Sequence, residues 1–119
     1  MEFKKAPAEL VEFIREKMKD VNCDYRQMFG YPAYFINGNM FAGLFGDKLL
    51  LRLSDVDFAE TLKIHGEVKV FEPLPGRAMK GYVALPKSVY SDDTEFEKLL
   101  NKSVKYVSSL PQKISKAKK

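Results

Sequence analysis

Between residues 25 and 53 the chain is punctuated too often to do anything but fold back on itself. In YRQMFGYPAYFINGNMFAGLFGDKLLLRL, the signals Gly30-Tyr31-Pro32, Asn37-Gly38 and Gly46-Asp47 separate apolar, aromatic-rich segments of strand length. Asn-Gly is the strongest two-residue hairpin signal, because both residues accept the positive φ that a type I′ turn requires. Turns this short cannot carry a chain across a sheet, so successive segments must pair antiparallel. The run predicts a meander of three or four strands. Tyr25, Phe29, Tyr34, Phe35, Phe41 and Phe45 are expected to supply much of its packing area.

Helical periodicity brackets the meander. In PAELVEFIREKMKD, Leu10, Val11, Ile14, Met18 and Val21 recur at spacings of three and four, with Glu9, Glu12, Glu16 and Lys19 on the other side. Pro7 suits the first helical position, where its missing N–H is harmless. SDVDFAETLKIHG predicts a second helix, with Ser54 as N-cap, Phe58, Ala59 and Leu62 as inner face and Gly66 at its end. EVKVF and MKGYVAL read as two more strands around a loop of Pro, Gly and Arg. A last helix spans about residues 94–110, capped by Asp92 or Asp93. Its apolar side carries Phe96, Leu99, Leu100, Ser103, Val107 and Leu110, and Lys98, Lys102 and Lys105 lie opposite. The expected fold is therefore α+β in two layers: an antiparallel sheet, made of a meander plus a second hairpin, with helices packed mainly on one face. The order is helix, three or four strands, helix, two strands, helix.

At 119 residues the chain is the size of one domain, expected over residues 1–110, followed by a basic, disordered tail over 111–119. No apolar run approaches the roughly 18 residues of a membrane span, and the N-terminus lacks the apolar stretch of a signal peptide, so a cytoplasmic location is expected. The single Cys23 agrees with a reducing compartment. The net charge of +4 is unevenly spread, since no acidic residue follows Glu97. The segment beyond it holds Lys98, Lys102, Lys105, Lys113, Lys116, Lys118 and Lys119, which could contact nucleic-acid phosphates.

The residue inventory argues against several chemistries. One His and one Cys cannot supply a Cys/His zinc site within one chain, and no metal or cofactor is expected. His65 falls at a helix C-terminus, where a cation is favoured by the dipole. Cys23 has no evident base, no G-x-S-x-G elbow is present, and the phosphate-binding glycine motifs are absent. No catalytic residues are assigned and a non-enzymatic protein is expected. The strand aromatics have mostly apolar neighbours, which favours packing over base stacking.

FEPLPGRAMKGYVALP, at residues 71–86, is the remaining unusual stretch. Pro73 and Pro75 hold Glu72 and Leu74 extended, and Gly76 allows a turn. Arg77 then sits near the tip, able to pair with an internal carboxylate or to reach a partner. Together with the Met28-Phe29-Gly30 strand end, the Asn37-Gly38 turn, Met40-Phe41-Ala42, the 49–51 strand, and Gly76-Arg77 with Met79 and Tyr82, this stretch resembles the TfoX N-terminal domain family. That family includes the N-terminal halves of the bacterial competence regulators TfoX and Sxy. The resemblance implies a small two-layer α+β domain without enzymatic activity and a part in transcriptional regulation. The regulators carry a further helical domain, so the expectation is a stand-alone member. Its expected role is to bind a protein partner through Arg77, Met79 and Lys80. The alternatives are a nucleic-acid-binding module using the seven lysines, and a small-molecule or catalytic domain whose site leaves no motif. Free strand edges make a homodimer a further expectation.

Overall fold

Asn37 and Gly38 adopt φ of 54° and 80°, the paired left-handed conformation that their chemistry permits, and the chain reverses there. The computed structural model describes residues 6–28, 30–72 and 76–111. The four meander strands are β1 (Asp24–Met28), β2 (Tyr31–Ile36), β3 (Asn39–Phe45) and β4 (Lys48–Arg52), each antiparallel to the one before. Helix α1 (Ala8–Met18) precedes them and α2 (Asp55–Ile64) follows. Strands β5 (Lys69–Phe71) and β6 (Met79–Leu85) form the second hairpin, and α3 (Lys87–Tyr90) and α4 (Asp93–Ser108) complete the order. All six strands join one sheet in the order β1-β2-β3-β4-β6-β5, because β6 pairs with β4 across α2. The α+β, two-layer expectation holds.

One apolar cluster lies between sheet and helices. It unites Leu10, Ile14 and Met18 of α1 with Phe41, Leu49, Leu51, Val83 and Leu85 of the sheet and Phe96, Leu99 and Val107 of α4. A second, smaller cluster of Leu50, Phe71 and Ala84, with Met40, Phe45 and Tyr82 against it, draws no residue from any helix. Strand side chains alternate between faces, so this second cluster marks the helix-free side of the sheet.

A bulge lets β3 feed the larger cluster twice. The β2–β3 register steps from Tyr34↔Ala42 to Phe35↔Met40, leaving Phe41 as the extra residue, so that Phe41 and Ala42 both turn toward the helices. The fully buried Ser103 of α4 donates its hydroxyl to the Phe41 carbonyl at 3.1 Å. At the neighbouring Gly43 a Cβ would stand 2.7 Å from the flexible Met40 methyl and 3.1 Å from the Pro32 carbonyl, so the close approach of β2 favours glycine.

Several local expectations need correction. Pro32 lies inside β2 opposite Gln27 and not in the turn. Pro7 is the extended residue before α1, where its carbonyl accepts the N–H groups of Leu10 and Val11. Thr61 is the buried residue of α2 and Ala59 is exposed, because the helix meets the sheet along a narrow line. His65, not Gly66, closes α2. Tyr25 is 54% exposed, since it sits on an edge strand. Helix α3 had no sequence signal of its own. Among the described residues, no helix is long and apolar enough to cross a membrane.

Candidate interaction surface

The helix-free face is built from aromatic and small residues set opposite one another. Tyr31, Phe45 and Phe71 form a row, with ring centroids 5.1 Å apart for Tyr31–Phe45 and 5.2 Å for Phe45–Phe71. The small Ala33, Gly43 and Ala84 leave room on the same side, so larger neighbours fold inward over them. Tyr31 is only 3% exposed and Phe35 8%, and Tyr31 also joins the larger cluster. Rings sunk this far offer no free π-face to a nucleobase, which counts against stacking recognition of single-stranded nucleic acid.

The row ends at the β5–β6 hairpin. Met79, opposite Phe71 in the register, is 42% exposed. The Glu72 carboxylate accepts the Gly76 N–H at 2.6 Å and Gly76 has φ of 79°, so the loop is closed by a side chain gripping its backbone. Glu72 is thereby engaged with the backbone. Arg77 is exposed and makes no ion pair among the described residues, so the expected internal pairing of Arg77 is not seen. Lys80 follows Met79 in β6. Arg26, stacked over the Phe35 ring at 4.8 Å, and the exposed Lys69 add cations around the same face.

Arg52 is held differently. The Arg52 guanidinium lies 5.7 Å from the ring centres of both Tyr82 and Tyr106, bridging β6 and α4. The Tyr82 hydroxyl donates to the Met40 carbonyl at 3.4 Å. Burial pushes the Tyr82 phenol above its ordinary range, and Arg52 offsets part of that shift. This cluster depends on cross-strand register and was not foreseen from the sequence.

Among the described residues, the lysines of α4 do not form one open stripe. Lys98 sits 3.7 Å from Glu95, and Lys102 reaches Asp57 at 3.9 Å and Glu60 at 3.8 Å on α2. Lys105 is exposed. Lys113, Lys116, Lys118 and Lys119 lie outside the described residues. His65 Nε2 is 3.1 Å from Glu95 Oε2, tying the end of α2 to the first turn of α4. Cys23 lines an open groove of about 490 Å³ with Val11, Arg15, Met18, Val21 and Tyr34. The groove is apolar, and Arg15 at its rim is engaged with Glu12 at 3.0 Å. Burial first, and the Asp24 carboxylate second, push the Cys23 thiol up, which disfavours the nucleophilic thiolate. Among the described residues, no three His, Cys, Asp or Glu side chains cluster as metal ligands would.

The fold defines a class: a two-layer α+β domain whose six-stranded antiparallel sheet carries its helices on one side. Residues 17–107 match the TfoX N-terminal domain, and the chain belongs to that family. No curated protein and no solved structure matches the sequence.

Proposed function

We propose that the domain is a non-enzymatic protein-binding module that docks a partner on the β5–β6 hairpin and the adjoining helix-free face. The observation that carries this reading is the exposed Met79 at the end of the Phe71–Phe45–Tyr31 row, beside an Arg77 that no carboxylate engages among the described residues. Arg is enriched among interface hot spots, and the Gly76 backbone held by Glu72 loses little freedom on docking. Lys69 and Arg77 favour a partner whose apolar contact is ringed by carboxylates. The resemblance to competence regulators supports a regulatory setting for that contact, with transcription machinery as the kind of partner.

Nucleic-acid binding through Lys98, Lys102 and Lys105 is the weaker reading, because Lys98 and Lys102 are already shared with acidic residues. Titration of the full chain with duplex DNA at two salt concentrations separates the two. The expected outcome is weak association. Tight binding that falls with log salt at a slope of roughly −0.9 per phosphate contact would favour the lysine reading instead.

A further inference from the structure

The two ends of the sheet are finished differently. At one end β5 is three residues long, begins with Lys69 and is broken by a register shift at Val70/Phe71. These are the devices that keep an edge from pairing with another chain. At the other end β1 runs in unbroken register with β2 over five residue pairs, from Asp24↔Phe35 to Met28↔Tyr31. It contains no proline, no lysine and no bulge, and Asp24, Tyr25, Arg26 and Gln27 are all exposed. Its outer row of backbone N–H and C=O groups faces away from the sheet.

The side chains say which strand fits there. Asp24 and Arg26 sit two apart on the helix-free face, and neither makes an ion pair among the described residues. We infer that β1 is an interface for a second copy of this chain, whose own β1 pairs antiparallel about a two-fold axis through Tyr25. That register sets Asp24 of each copy opposite Arg26 of the other, giving two reciprocal acid–base pairs. Side chains directly opposite across strands stand roughly 5 Å apart, close enough for such pairs.

The other two-fold registers lack this match. Centring on Arg26 sets guanidinium against guanidinium, and centring on Asp24 sets carboxylate against carboxylate. Centring on Gln27 or Met28 pairs neither charge. On the helix side, Tyr25 already lies 5.4 Å from Tyr34, so the seam would be lined by these two rings from each copy. The interface is isologous and closes at two copies.

Sedimentation equilibrium on the full chain at micromolar concentration tests this with four samples besides the wild type. They are Asp24→Arg, Arg26→Asp, an equal mixture of the two, and the double variant Asp24→Arg/Arg26→Asp. The wild type should be dimeric, and each single variant should associate about tenfold or more weakly. The mixture should recover the dimer, because one chain then offers two cations and the other two carboxylates. The double variant should recover it alone, which separates lost pairing from lost folding. A monomeric wild type, single variants that dimerise undiminished, or a mixture no stronger than its components would each overturn the inference. So would a wild type that stays monomeric yet takes up an unrelated extended peptide along β1, which would give the edge to another partner.

Discussion

The hydroxyl of Ser103 is what makes the bulge in β3 tolerable. A bulge removes one residue from the ladder, and the Phe41 carbonyl is satisfied instead from α4. Ser103→Ala slightly raises the helix propensity but leaves that carbonyl buried without its partner. The expected loss is about 1–3 kcal/mol of unfolding free energy, read as a lower midpoint in urea at unchanged slope. A variant as stable as the wild type would mean that the carbonyl finds another donor. Gly43 and Phe41 share this logic, since both are fixed by what the neighbouring strand brings close. Neither role can be read from residue order, because a bulge is defined by two strands at once.

At the scale of elements, α4 is the helix that ties the molecule together. Asp92 caps it by accepting the Glu95 N–H at 3.2 Å. Lys17 of α1 reaches Asp93 at 3.3 Å and Glu97 at 3.6 Å, and Phe13 meets Phe96 at 5.4 Å between ring centres. Glu95 then receives His65 from α2. Asp92→Ala should therefore cost about 1 kcal/mol, seen as a lower thermal midpoint, with the secondary structure unchanged in circular dichroism. An effect near zero would show that water replaces the cap without loss.

The same contrast explains what the sequence could disclose. The Asn37-Gly38 turn, the Asp92 cap and the apolar side of α4 are local matters of backbone and period, and they are where the residues placed them. The pairing of β6 with β4 is not, because α2 intervenes and no turn encodes it. The candidate site divides along the same line. Arg77 and Met79 stood out through the prolines and glycine around them, whereas the aromatic row that Met79 extends exists only once β2, β3 and β5 are in register. The lysine side of α4 looked open in sequence, and its partial neutralisation by Asp57 and Glu60 required α2 to lie alongside.

For the molecule as a whole, the hairpin site and the β1 edge lie at opposite ends of one six-stranded sheet. Two copies joined through β1 would present two hairpins at the far ends of a continuous sheet. At roughly 4.8 Å per strand that separation is about 50–60 Å, which suits a partner with two matching sites. Whether the hairpin binds a protein partner is decided by capture from the native cell extract. Tagged wild-type chain, Met79→Asp, and Lys98→Glu/Lys105→Glu would each be used to capture proteins from the native cell extract after nuclease treatment, with quantitative mass spectrometry as the readout. Met79 is exposed, so its change should leave the fold intact, and a carboxylate there opposes a partner chosen for its acidic rim. A small set of proteins should be enriched by the wild type and the lysine variant and lost with Met79→Asp. Proteins retained by Met79→Asp, or enrichment that vanishes with nuclease or with the lysine variant, would contradict a protein-binding hairpin.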